Sequence, residues 1–274
     1  MSFVFLFLYA PIFVLIVFSF NATKSRSVWA GFSLQWYEKL FSNRAIMDAL
    51  QTTLTVSALA AIIACVAGTA AAIGIHAMKR KHRAAIMTVN NIPLTNADII
   101  TGVSLSLLFV LAINAFNATI GTALDITWAK GFATMLIAHV TFDIPYVILS
   151  VLPRLRQLDP NVYEAAQDLG ATGFVAFRKV ILPDLMPGII NGMLIAFTMS
   201  IDDFVISYFT AGTKVSTLAM EVYSMARRKI SPEINAISTL LFVSVLLLLV
   251  IVNVRQSHQE SQTRKHRAAL TPGK

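Results

Sequence analysis

The sequence predicts an all-α integral membrane protein with six transmembrane helices. Three observations carry that reading. Hydrophobic residues make up 56% of the 274 and charged residues only 13%, against about 25% charged in ordinary soluble domains. Mean hydropathy is +0.69. Six stretches are apolar over the roughly 20 residues that a bilayer crossing needs. They are residues 3–20, 49–78, 84–115, 131–151, 185–209 and 236–254. The chain is taken as one transmembrane domain, 1–274, with a long loop at 154–183 and a polar tail at 255–274.

The first stretch, Phe3 to Phe20, carries no charge. A secretory signal would want a basic start. Met1-Ser2 supplies none, so a retained helix is favoured. Residues 21–47 form an outer segment. Leu34, Tyr37 and Leu40 recur at helical spacing beside Trp29 and Trp36. This predicts a short interfacial helix with an aromatic belt.

The second stretch is again uncharged. After it comes Lys79-Arg80-Lys81-His82-Arg83 in the shortest loop. Basic residues collect in cytoplasmic loops, so both termini are placed in the cytoplasm. The net charge of +8 then means basic loops against anionic lipid rather than nucleic acid. Cys65 is the single cysteine and forms no internal disulfide.

The third stretch breaks around Pro93 to Asp98, where NNIPLTNAD puts polar residues at membrane depth. Thr95 and Asp98 have the spacing of a capping box, so a fresh helix start is expected near Thr95. Asp98 is then a cap or part of a polar pathway. Interrupted helices are tolerated only beside protein or water.

The fourth stretch holds His139 and Asp143 four residues apart on one face, then Pro145 and Tyr146. Two ligands are too few for a metal, so a buried hydrogen-bonded pair is expected and no metal. The fifth contains Gly188-x-x-x-Gly192, a spacing that lets another helix come close. It ends in Ser200-Ile201-Asp202-Asp203. Adjacent carboxylates diverge by about 100° on a helix, so at least one faces water or a partner. Either they attract cations on a transport route or they cap a helix. Phe109, Tyr146 and Tyr208 are aromatic candidates for the walls of such a route. The sixth stretch is entered through Ser231-Pro232-Glu233, a helix start.

The loop at 154–183 carries the most specific pattern. Leu158-Asp159-Pro160 starts a helix, Glu164-Ala165-Ala166 follows, and Gly170 ends it. Nine residues then lead to Val180-Ile181-Leu182-Pro183. Ala165 and Ala166 are small enough for another surface to approach. Glu164 near the helix start suits the dipole. Leu182-Pro183 is read as the stop that feeds the fifth span.

This pattern resembles the EAA loop of binding-protein-dependent ABC import permeases: EAA, three residues, G, nine residues, I-x-L-P. Val180 replaces the usual Ile. Thr52-Thr53-Leu54, Ser200-Ile201-Asp202-Asp203-Phe204 and Ser231-Pro232-Glu233-Ile234-Asn235-Ala236 resemble the spermidine/putrescine branch. The resemblance covers most of the chain. It implies the MetI-like permease fold in a bacterial cell membrane. It implies a second permease subunit, two ATPase subunits beneath, and an extracellular or periplasmic polyamine-binding protein. Glu164, Ala165, Ala166, Gly170, Leu182 and Pro183 would then couple to the ATPase.

The chain has no GxxxxGK[ST] phosphate loop, so on this reading it is no enzyme and binds no cofactor. Hydrolysis rests with the partner. A passage for a polyamine wants carboxylates with aromatic walls. Asp98, Asp202 and Asp203 with Phe109, Tyr146 and Tyr208 could supply it. An anion carrier should show positive charge within the spans, and the acids here favour a cation. Other solutes, such as iron, sulfate or phosphonate, are the alternative within the superfamily. An intramembrane aspartyl protease would want YD and GxGD, which do not occur. A structural membrane protein gives the EAA loop no reason to exist.

Overall fold

The computed structural model describes residues 2–24, 28–228, 233–247, 249–250 and 254. Among these the chain is helical, with an isolated β-bridge between Asn21 and Phe32. In order the helices are α1 (Ser2–Ser19), α2 (Gln35–Ser42), α3 (Arg44–Ala77), α4 (Arg80–Thr95) and α5 (Asp98–Phe116). A π turn, Asn117–Gly121, joins α5 to the short α6 (Thr122–Leu124). Then come α7 (Phe132–Gln157), α8 (Pro160–Asp168) and α9 (Gly173–Ala176). A second π turn, Phe177–Ile181, leads into α10 (Leu182–Ile201). The series ends with α11 (Val205–Thr210), α12 (Leu218–Arg228) and α13 (Glu233–Leu247).

Four helical runs are long and apolar enough to cross a membrane: Arg44–Ala77, Asp98–Leu124, Phe132–Gln157 and Gly173–Ile201. The first and last expected spans are met by shorter apolar helices, Phe3–Ser19 and Glu233–Leu247. Ser231 and Pro232 and the tail at 255–274 lie outside the described residues.

The chain divides into two compact units, one of residues 48–221 and one of the described parts of 1–47 and 222–274. In the latter, the turn between α1 and α2 is tied by polar contacts. Trp36 is 2% exposed, and its indole N–H donates to the Asn21 carbonyl at 2.6 Å. The Tyr37 and Ser19 hydroxyls pair at 2.8 Å. Phe20 stacks on Phe32 and Tyr37. The aromatic belt is therefore corrected in part: Trp29 is exposed, but Trp36 is an internal anchor.

In the 48–221 unit the core lies between α3, α7 and α10. Lipid tails are as apolar as leucine, so close packing rather than water exclusion holds such helices together. Gly188 and Gly192 provide it. A Cβ on Gly188 would meet the Ser150 carbonyl at 3.1 Å, and one on Gly192 would meet the Val147 Cα at 3.1 Å. The Ser150 hydroxyl donates to the Gly188 carbonyl at 2.9 Å. On the other side Gly68 of α3 meets the Val147 side chain, 2.7 Å from a Cβ built there. Val147, Val151, Leu152 and Leu185 fill the space between.

Three boundary expectations are corrected. The third span does not run from 84 to 115. Helix α4 is separate, with no buried residue, and the membrane-length helix is Asp98–Leu124. The break falls where expected, but not by a capping box. The Thr95 hydroxyl turns back to the Ile92 and Asn91 carbonyls of its own helix, a competing use open to threonine. Ala97 precedes α5 with no side-chain cap.

Leu182-Pro183 does not stop a helix. The run is continuous from Gly173 to Ile201. Proline lacks an N–H and crowds the carbonyl four residues back. Here the wide turn at Phe177–Ile181 precedes it, and Leu182 donates to the Phe177 carbonyl, so the helix passes through. The fifth span, expected over 185–209, ends at Ile201 and resumes at Val205, where Asp203 takes the capping role that was one of the two readings of the acidic pair.

Candidate functional site

Two groups of residues stand out, both within the 48–221 unit. The first surrounds the gap between α10 and α11. Asp202 follows the last residue of α10 with φ −99° and ψ 0°. Asp203 then turns inward. Its Oδ1 accepts from the Ile206 N–H at 3.2 Å and its Oδ2 from the Ser207 N–H at 2.7 Å. Free amides at a helix start attract such an acceptor. Asp203 thus restarts the helix that Asp202 ends.

His139 of α7 reaches the same gap. Its Nδ1 pairs with the Ser200 hydroxyl at 2.5 Å and its Nε2 with the Ser207 hydroxyl at 2.9 Å. The Asp203 Oδ2 lies 3.6 Å from Nε2. One imidazole therefore ties α7 to both pieces of the broken span. The expected His139–Asp143 pair is corrected. His139 is buried and hydrogen-bonded, but to serines. Asp143, one turn further along α7, is 0% exposed with neither oxygen hydrogen-bonded.

Sequence reasoning missed Ser200 and Ser207. The signal was there: Ser200, Asp203 and Ser207 recur at i, i+3 and i+7, which marks one helical face.

The aromatic candidates come together only in part. Phe109 of α5 is buried with Ile113, Ala138, Phe142 and Ile206, and Tyr146 packs against this cluster. Tyr208 lies tilted against Phe204, with ring centroids 5.5 Å apart, but is itself exposed, as are Asp98 and Asp202. At the other end of α11, the Lys130 ammonium donates to the Ser106 hydroxyl at 2.6 Å and reaches the Phe209 carbonyl at 3.5 Å.

The second group is the loop after α7. Asp159 accepts from the Asn161 N–H at 2.9 Å and starts α8. Gly170, at φ +85°, ends it. Its N–H bonds the Gln167 carbonyl and that of Ala171 bonds Ala166, the paired closure of a Schellman turn. The Thr172 hydroxyl then accepts from the Val175 N–H and starts α9. Glu164, Ala165 and Gly170 are exposed and Ala166 is half-buried. Leu169 is 90% and Phe174 71% exposed, leaving apolar side chains with no partner in this chain's own core. Leu182 is half-buried and Pro183 exposed, both at the entry to α10.

Four helical runs of membrane-crossing length, a buried polar node where one of them ends, and a folded helical loop presenting an apolar face mark a multi-pass membrane protein. Residues 64–265 match the family of binding-protein-dependent transport system inner membrane components, and this chain belongs to that family. It is similar to the putrescine transport system permease protein PotI of Escherichia coli K12, 41% identical over 94% of this chain and 89% of that protein. It is also similar to the spermidine/putrescine transport system permease protein PotC of Haemophilus influenzae. There the identity is 35%, over 90% of this chain and 91% of that one. Among solved structures, a bacterial ABC transporter involved in the import of alginate shares the fold. Its TM-score is 0.70 at 17% identity, covering 94% of this chain and 92% of that one.

Proposed function

We propose that this chain is a permease subunit of an ATP-driven polyamine importer. The observation that carries the cargo is its likeness, across nine-tenths of its length, to permeases named for putrescine and spermidine. The chain forms half of a translocation path with a second, different permease. Both termini and the 154–183 loop face the cytoplasm. There Glu164, Ala165, Ala166 and Gly170, with Leu169 and Phe174 beside them, dock on one of two ATPase subunits. An external binding protein delivers the polyamine.

On this reading ATP-driven closure of the ATPases pushes on α8. The push reaches the spans by two routes, through α7 on one side and the continuous run Gly173–Ile201 on the other. Leu182 and Pro183 sit in the second route. The polyamine passes Asp98, Asp202 and Asp203, with Phe109, Tyr146 and Tyr208 as walls. Cation–π contact and carboxylates attract it, and no single site holds it too tightly to release.

The test is ATP hydrolysis by the complex, co-expressed with its neighbouring genes and placed in lipid with its binding protein. Putrescine or spermidine should stimulate it. Stimulation only by an unrelated solute would retain the importer and discard the polyamine.

A further inference from the structure

A cavity lies apart from both groups of residues. Its volume is about 310 Å³, at the lower end of the roughly 300–1,000 Å³ of small-molecule sites. Every residue around it belongs to the unit formed by the described parts of 1–47 and 222–274. Phe20, Tyr37 and Leu240 give it apolar walls. Leu34, Val243 and Ser244 are exposed and form its mouth. The aromatic wall is rigid. Phe20 stacks on Phe32 and on Tyr37, with ring centroids 5.2 Å apart in both pairs. The Tyr37 hydroxyl is already paired with that of Ser19.

One group on the wall is left over. Thr239 of α13 is 5% exposed, and its hydroxyl has no hydrogen-bond partner. Thr53, Thr141, Thr198 and Thr210 each donate to the carbonyl four residues back, the usual outlet for a threonine inside a helix. Thr239 does not use the Asn235 carbonyl in this way. A buried hydroxyl without a partner is costly, so this wall calls for an acceptor from outside the chain.

Three features choose the occupant. The walls want an apolar body. The hydroxyl wants an acceptor at one end of it. The depth is set by the turn between α1 and α2, where Trp29 is exposed and Tyr37 reaches the cavity. Trp and Tyr collect at the headgroup level of a bilayer. There each phospholipid chain begins at an ester carbonyl, an acceptor with no donor of its own. A neighbouring transmembrane helix brings apolar side chains but keeps its backbone carbonyls for itself, and would leave Thr239 unpaired.

We infer that this cavity holds one acyl chain of a bilayer phospholipid, with the Thr239 hydroxyl donating to the ester carbonyl at the head of that chain. The site is independent of the cargo.

The test places the assembled complex in phosphatidylethanolamine vesicles with a trace of phosphatidylcholine carrying a diazirine on one acyl chain. The ether-linked counterpart, which has no ester carbonyl, is the comparison probe. After illumination, labelled residues are read by peptide mass spectrometry. The ester probe should label Leu34, Leu240 or Val243 roughly threefold or more above the ether probe, the ratio expected for one hydrogen bond. Thr239→Val keeps the shape of the side chain and removes the donor. With assembly checked by co-purification, this variant should label equally with both probes. Equal labelling of the wild type by the two probes, or an ester preference that survives Thr239→Val, overturns the inference. So does the absence of label at these residues, or a cross-link from them to the second permease, which would mean that protein covers the cavity.

Discussion

Gly192 of α10 lies against the backbone of Val147 on α7, so close that a Cβ on the glycine would stand 3.1 Å from the Val147 Cα. The same valine fills the notch left by Gly68 of α3. Val147 is thus the point where three helices meet without room for another carbon. It lies on α7 between the His139 node and Gln157, where the helix gives way to the folded loop.

Replacing Gly192 with Leu should therefore destabilise the protein. Overpacking of this kind costs about 1–3 kcal/mol, and the contact here is backbone, which cannot rotate away. Thermal unfolding of the purified complex should show a lower midpoint. Gly74→Ala is the contrast. Nothing lies within 4 Å of a Cβ at Gly74, and alanine favours helix over glycine by up to ~1 kcal/mol. Its midpoint should hold or rise.

Trp36→Phe should also destabilise, by about 1–3 kcal/mol, the range for a buried hydrogen bond that loses one partner. The six-membered ring is kept, but the five-membered ring and its 2.6 Å bond to the Asn21 carbonyl are gone. Unfolding of the turn between α1 and α2 should become easier, read as faster amide exchange over residues 18–24 and 28–40. Exchange unchanged there would mean that packing alone holds this turn.

The local features were the legible ones. The glycine turn at Gly170 and the proline-linked start at Asp159 follow from residue chemistry, and both are present. The break near Pro93 was visible for the same reason. What escaped was set by contacts far along the chain. His139 finds Ser200 and Ser207, 61 and 68 residues away, so its true partners could not be read from its own helix. The break at Asp202 lies inside a hydrophobic run, where hydropathy alone predicts continuity. The reverse error occurred at Leu182-Pro183. A proline looked like a stop, but a π turn absorbed its missing donor.

Asp202 and Asp203 should separate under the same change. Asp203 accepts two backbone N–H groups, and an asparagine has a single side-chain oxygen to offer them. Asp203→Asn should lower the unfolding midpoint slightly, costing less than the roughly 0.5–2 kcal/mol of replacing a cap by alanine, and also weaken polyamine uptake. Asp202 is exposed, and its side chain caps nothing. Asp202→Asn should weaken uptake and leave the midpoint where it was. Normal uptake in Asp202→Asn would remove it from the proposed path.

Gly170 tests coupling by backbone strain alone. Its φ is +85° and nothing lies within 4 Å of a Cβ built there, so a side chain meets no steric wall. The penalty is conformational. Left-handed backbone costs an ordinary residue about 1–2 kcal/mol, and a β-branched one more, while asparagine visits it readily. Gly170→Val should therefore distort the closure of α8 and lower uptake, with the spans still folded and ATP hydrolysis running without transport. Gly170→Asn should transport nearly as the parent does. Glu164→Ala acts beside it without strain. It should reduce recovery of the ATPase in co-purification and leave the unfolding midpoint unchanged, because Glu164 is exposed in this chain. Two valine and asparagine variants of equal activity would mean that the turn tolerates either conformation, and that the loop transmits no force through Gly170.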